Sequence, residues 1–283
     1  METGQKHLQT SNIDLHTHKD LSIQIHLNGL SFCILNKSSL TIEYLHAKTF
    51  DKAYTPEMTL DALVSHLKSE DVFSQPFNEI RVTHQSELAT LVPEELFDEN
   101  KLNDYLKFNT KILETDYLTF DHNESLRIHT VYIPYVNINN QLLEEFGSFD
   151  YYHAYSTLTN AFLKLPKSKE AFLHLYIHVN KGHFEFIVFD AAKQLVFCNS
   201  FEYQTKEDFI YYILFVFEQL KLDKEKDVLH ITGEIDEDTA LYKILFKYIR
   251  FISFIEIDEI YKFDDTLKDI NKHHHFLILN SFN

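Results

Sequence analysis

The chain is short of the residues from which many active sites are built. Of its 283 residues, five are glycine, five are proline and two are cysteine. Phosphate-cradling loops use glycine to let the backbone approach the ligand, so this scarcity leaves little material for them. Cys33 and Cys198 lie in apolar, strand-like runs without Cys-x-x-Cys spacing, which predicts reduced, buried thiols and argues against a disulfide framework or a cysteine zinc site. No Gly-x-Ser-x-Gly occurs, and serine or cysteine hydrolase chemistry has no motif to rest on. Basic charge is scarce as well: 26 Lys and Arg stand against 43 Asp and Glu, and the net charge of −17 gives a field that repels nucleic acids and anionic membranes. The longest apolar stretch, Phe209 to Phe217, falls far short of the ~20 residues that cross a bilayer. The opening METGQKHLQTSN has no apolar signal core, so the expectation is a cytoplasmic protein with neither a membrane nor a nucleic-acid partner. What remains is 45% apolar and 14% aromatic, enough to pack one large domain or two ordinary ones.

An order of elements recurs along the chain. Leu21, Ile23, Ile25 and Leu27 alternate on one strand face, and Asn28-Gly29 signals a tight hairpin. Strands follow at 30–35 and 40–45, then a helix over MTLDALVSHLKSE begun by Thr55-Pro56 or Thr59, then a strand over 78–85. About 150 residues on, strands are predicted at 171–179, 183–190 and 194–201, a helix at Lys206 to Leu220, and a strand at 227–232. IHLNG at 25–29 is echoed by IHVNKG at 177–182, and IRVT at 80–83 by LHIT at 229–232. The shared order, strand-turn-strand-strand-helix-strand, indicates an internal duplication. Between the copies lie a helical segment near 98–108, a strand near 128–135, a helix near 137–146 and a strand-helix pair over 149–164. A helix near 238–248, a strand at 251–257 and FLILN at 276–280 end the chain. LPKSKE at 165–170 is the natural boundary, giving a polar lead-in over 1–20, a first domain over 21–168 with an inserted helical and strand segment, and a second over 169–283.

Two copies of such a unit resemble the actin, sugar-kinase and Hsp70 superfamily. The stretches LSIQIHLNGLSFCIL, LYIHVNKGHFEFIVFD and ITGEID are similar to an uncharacterised bacterial family with an actin-like ATPase fold. The resemblance implies an α/β protein of two duplicated actin-like (ribonuclease H-like) domains, each a mixed five-stranded sheet with helices on its faces, facing across a nucleotide cleft. It also implies that hairpin turns hold Mg²⁺ and phosphates, and that a Gly-rich turn receives adenosine. Carried over, the first hairpin offers His26, Asn28, Gly29 and Ser31, the second His178, Asn180, Lys181, Gly182 and His183, and the adenosine-type turn Gly233 followed by Glu234.

Neither turn carries the Asp-x-Gly that would hold a hydrated Mg²⁺, and the adenosine-type turn has one glycine rather than two. Phosphoryl transfer rests on metal and positioned charge, so the expectation is a degenerate nucleotide cleft with no catalytic residues and no cofactor, in a non-catalytic binding or scaffold protein with a protein partner. The alternative is a divergent ATPase or small-molecule kinase using ATP and Mg²⁺, with Asn28, Gly29, Ser31, Asn180, Lys181 and Gly182 near phosphates and Gly233 near adenosine.

Two histidine clusters invite a metal reading. Asp14, His16 and His18 spell the opening of a metal-dependent hydrolase, yet a hairpin follows where a barrel would need a helix after each strand, so they are read as a polar lead-in. His273, His274 and His275 have no companion at ligand spacing in the sequence and are read as a solvated turn before a closing strand.

Overall fold

A computed structural model describes residues 18–107, 112–113, 116–166, 172–255 and 260–282. The chain opens with β1 (Lys19–His26), β2 (Gly29–Asn36) and β3 (Thr41–Thr49). Helix α1 (Pro56–Ser69) starts where Thr55 accepts a hydrogen bond from the Met58 N–H through its side chain, with Pro56 in the first turn, where its missing N–H has no helical partner to lose. Then come β4 (Glu79–His84), β5 (Ala89–Pro93), α2 (Leu102–Leu106), β6 (Thr119–Asn123), β7 (Ile128–Tyr132), α3 (Val136–Phe146), β8 (Asp150–His153) and α4 (Ala154–Lys164). The second meander is β9 (Leu173–Asn180), β10 (His183–Asp190) and β11 (Leu195–Glu202). Helix α5 (Lys206–Gln219) opens on a reciprocal capping box between Thr205 and Asp208. The remainder is β12 (Val228–Gly233), α6 (Ala240–Tyr248), β13 (Phe251–Phe254), β14 (Lys262–Phe263), a 3₁₀ turn at Lys272–His275 and α7 (Phe276–Asn280).

The chain divides into two compact units. The first takes residues 1–157, 258–270 and 278–283, and the second takes 158–257 and 271–277. In the first, a sheet runs β14-β3-β2-β1-β4-β8, antiparallel through the meander and parallel from β1 to β4 to β8. In the second, the order is β11-β10-β9-β12-β13 with the same succession of strand senses. The fold class is therefore the expected mixed α/β arrangement, with a two-residue edge strand added to the first sheet.

The inserted segment of the first unit is more sheet-like than the sequence suggests. Strands β5, β7 and β6 form a separate antiparallel sheet whose core is Val92, Leu106, Val131 and Ile133. Strands β5 and β6 have only five residues each, too short for alternation to stand out. FLILN also differs from expectation, forming helix α7 instead of a closing strand. All four of its apolar residues are buried, and a continuous apolar run suits a helix packed on all sides as well as it suits a strand.

In the second unit, Leu175, Ile177, Val179, Phe184, Phe186, Leu229 and Ile231 line one sheet face and pack on α5 and α6. Helix α5, which reads as apolar all round, buries Phe209, Ile210, Ile213, Val216 and Phe217 and leaves Tyr211 and Phe215 exposed. Cys33 is buried and Cys198 half-buried, both free, and burial raises both thiols far above their ordinary range. No helix among the described residues is long and apolar enough to cross a membrane.

Candidate functional site

The first hairpin turns on Leu27 and Asn28, with Gly29 already the first residue of β2 and paired to His26. Its backbone is engaged within the protein. The Asn28 N–H donates to His26 Nδ1 at 2.9 Å, while the Phe50 and Tyr54 amides donate to the Asn28 and Leu27 carbonyls. Gly29 is glycine because β3 runs close by: a Cβ there would come 2.7 Å from the Lys48 carbonyl oxygen. Ser31 sits inside β2, paired with Gln24 and Ala47, and not in the turn. His18 precedes β1, while Asp14 and His16 fall outside the described residues.

The second hairpin turns on Lys181 and Gly182, and Gly182 takes φ +82°, where a side chain would be strained. Tyr203 clasps the turn: its hydroxyl donates to the Asn180 carbonyl at 2.6 Å and its amide to the Gly182 carbonyl at 2.9 Å. Asn180 Nδ2 donates to Glu185 Oε2 at 3.4 Å. Gly233, the adenosine-type glycine, has φ +92°, and a Cβ on it would lie 2.0 Å from the Val179 carbonyl oxygen. The Glu234 amide donates to that same oxygen at 2.7 Å. Close approach of β12 to β9 accounts for this glycine.

The second unit carries a feature that motif reading missed. Its other sheet face is polar toward one end, because side chains two apart on a strand share a face. His178 is paired in register with Glu185 on β10 and with Thr232 on β12, and all three are buried. His183 Nε2 lies 3.5 Å from Glu185 Oε1. Phe276, whose ring is 6.4 Å from that of His178, helps to cover this face, and Phe162 stacks on both Phe276 and Tyr176. Neither ring nitrogen of His178 has a hydrogen-bond partner among the described residues. Burial pushes its imidazole down to about 4 against the partial opposition of Glu185, so it is neutral at pH 7.

At the rim of this face the 3₁₀ turn brings His273 and His274 to Asp236. His273 Nε2 donates to the Ile235 carbonyl at 2.8 Å and lies 3.3 Å from Asp236 Oδ1, and His274 Nε2 lies 2.8 Å from Asp236 Oδ2. The three ligand-capable atoms fall within 4.8 Å of one another. The His tract therefore has a companion after all, 37 positions before His273 and supplied by the loop after β12. Burial depresses His273 and holds His275 down to about 4.

In the first unit, one set of buried polar groups is knit together around Asp121 and His84. Asp121 accepts from the His153 amide, the Ser156 hydroxyl and the Tyr132 hydroxyl at 2.8, 2.7 and 3.1 Å. His84 accepts from the Tyr135 amide at Nδ1 and donates from Nε2 to Asn139 Oδ1, so it is a neutral tautomer, which burial holds at about 3. These bonds fix the structure around Asp121 and His84.

A family described as a protein of unknown function (DUF3822) matches residues 8–252. The chain belongs to that family. Among solved structures, this DUF3822 chain is similar to a Bacteroides thetaiotaomicron protein with an actin-like ATPase fold and unknown function, at 23% identity over 87% of this chain and 94% of the other, with a TM-score of 0.71. It is also similar to the structure of a PilM-PilN type IV pilus biogenesis complex, at 9% identity over 92% and 96%, with a TM-score of 0.58. A search of curated proteins finds no match. The actin-like fold implied by IHLNG and IHVNKG is thereby established for this DUF3822 chain. Of the expected residues, Asn180, Lys181, Gly182 and Gly233 lie around the β9–β12 end of the second unit, and Asn28 and Gly29 around the first hairpin. Asp236 was missed because its partners are distant in sequence, although the alternation His230-x-Thr232-x-Glu234-x-Asp236 already departs from an apolar strand.

Proposed function

We propose that this chain is a non-catalytic cytoplasmic binding or scaffold protein on an actin-like fold whose nucleotide machinery has lost its acidic residues. One observation carries the reading: the glycines and amides that would serve phosphates and adenosine are explained by internal packing. The Asn28 N–H is given to His26, Gly29 is fitted to the Lys48 carbonyl, and Gly233 is fitted to Val179. With no carboxylate at either turn, hydrated Mg²⁺ has no anchor there, and phosphoryl transfer without positioned metal charge loses most of its catalysis. The scaffold half of the reading draws on the PilM-PilN neighbour, whose fold is recorded in a complex with a partner protein. A protein partner is accordingly the expected ligand class.

Calorimetry and thermal-shift assays with ATP and Mg²⁺ test this. The expected result is no heat of binding below millimolar nucleotide and no shift in melting temperature. Sub-millimolar binding that is abolished by Asn180→Ala or Asn28→Ala would instead make the chain a divergent ATP-binding protein.

A further inference from the structure

We infer that the second unit binds a divalent transition-metal ion of the zinc class through Asp236, His273 and His274. Two imidazoles and one carboxylate form a nitrogen-rich donor set, which suits Zn²⁺ and its neighbours Co²⁺ and Ni²⁺ and does not suit Mg²⁺ or Ca²⁺, which prefer oxygen throughout. Two edges of the donor triangle are already near those of a loaded site, and the third is within 4.8 Å. Zinc–ligand bonds of about 2.0–2.1 Å place tetrahedral donors about 3.3 Å apart. Asp236 Oδ1 and His273 Nε2 are 3.3 Å apart, and Asp236 Oδ2 and His274 Nε2 are 2.8 Å apart. Small side-chain rotations would open the triangle around an ion.

The ligands are held by a second layer of bonds, as bound metals require. Asn271 Nδ2 donates to Asp236 Oδ1 at 2.6 Å. The Thr232 hydroxyl donates to the His273 carbonyl at 2.8 Å, fixing the 3₁₀ turn to β12. Thr239, which caps α6, donates from its hydroxyl to the Asp236 carbonyl at 2.7 Å. The side chains nonetheless remain within reach of solvent, with Asp236 and His274 about a third exposed at 35% and 28%. An ion from solution can enter without unfolding the unit.

In the ion-free form, imidazole N–H groups meet the Asp236 carboxylate and the Ile235 carbonyl. A metal ion takes the place of those protons, so each imidazole that coordinates through Nε2 must release or shift one to Nδ1. Three protein donors leave at least one coordination position for water or a ligand, the arrangement of a working site rather than of a closed structural one.

The test uses the full chain without a purification tag, stripped with a chelator and titrated with ZnCl₂ alone in the absence of nucleotide, so its result stands apart from the nucleotide question. Calorimetry should give one ion per chain with proton release that scales with the buffer's ionisation heat, and Co²⁺ should give the visible absorption of a four- or five-coordinate nitrogen and oxygen site. Asp236→Asn and His274→Gln should each weaken Zn²⁺ binding about 100-fold or more while leaving the circular dichroism spectrum intact. If Asp236→Asn fails to fold, His274→Gln decides alone. The N-terminal histidines supply the control: His16→Gln combined with His18→Gln should leave binding unchanged. No binding, binding that survives both site variants, or binding lost in the N-terminal double variant would each overturn the inference and leave a carboxylate hydrogen-bonded to two imidazoles.

Discussion

Replacing His178 with leucine should make the protein more stable, and increasingly so as the pH falls. The imidazole is 1% exposed and neither nitrogen is paired among the described residues. An unsatisfied buried polar group costs about 1–3 kcal/mol, and leucine removes that cost at similar volume. The pH term follows from linkage. In the folded protein the imidazole sits at about 4, against about 6.5 when unfolded, so the unfolded state binds the proton first and stability is lost as pH falls from 6.5 toward 4. At pH 5 that loss is about 2 kcal/mol, levelling off below pH 4. Leucine has no such term, and the contributions of titrating groups other than the neighbours Glu185 and His183 cancel between the two proteins. Urea unfolding followed by tyrosine fluorescence and far-UV circular dichroism at pH 7 and pH 5 measures both quantities, since the chain has 16 tyrosines and no tryptophan. A variant less stable than wild type at pH 7, or an advantage that does not grow at pH 5, would refute the reasoning and mean that the imidazole is held by bonds of its own.

Three further changes address the packing account of the turns and the buried network. Gly233→Ala should destabilise the second unit by about 3 kcal/mol or more, because a left-handed backbone costs about 1–2 kcal/mol for alanine and its Cβ would strike the Val179 carbonyl, loosening the Glu234 bond as well. A wild-type urea midpoint in that variant would contradict it. Asp121→Asn should cost about 1–3 kcal/mol, since the amide keeps one acceptor oxygen but loses the charge that strengthens all three bonds and turns an NH2 toward the Tyr132 hydroxyl, and thermal unfolding of the first unit reads the loss. Asn139→Leu should lower stability at pH 7 by about 1–3 kcal/mol by leaving His84 Nε2 without its acceptor, and urea midpoints check this.

The meanders and their following helices were legible because local signals agree with the global fold. Thr55-Pro56 sits at the helix start it predicts, the second helix begins at Lys206 as expected, and the alternation of Leu21, Ile23 and Ile25 places three fully buried side chains on one face. The Asn28-Gly29 signal predicted a hairpin in the right place for the wrong reason. The turn falls one residue earlier, neither turn residue has positive φ, and the glycine answers to the neighbouring strand β3. Glycine in a sequence reports a need for space or for φ, and only the fold distinguishes the two. FLILN and the short strands β5 and β6 escaped because five residues hold too little periodicity to separate helix from strand.

The Asp236 cluster escaped for a different reason, and it bears on how such sites are sought. Ligand spacing along a chain is informative when one helix or one knuckle supplies the ligands, as in zinc fingers. Here a parallel strand supplies one ligand from the loop that follows it, and a turn 36 residues past that loop residue begins the pair that supplies the others. Thr232 ties them together, since its hydroxyl holds the turn while its strand position leads directly to Asp236. The same register sets His178 beside Thr232, so a buried imidazole with no partner and a rim of metal-capable side chains occupy one end of one sheet face. A face kept polar at that cost, beside an apolar face that packs two helices, is where this fold has spent stability without a structural return. If His178→Leu stabilises the protein and leaves Zn²⁺ affinity unchanged, the polar end and the rim are separate features; if it stabilises the protein and weakens Zn²⁺ binding, they form one site.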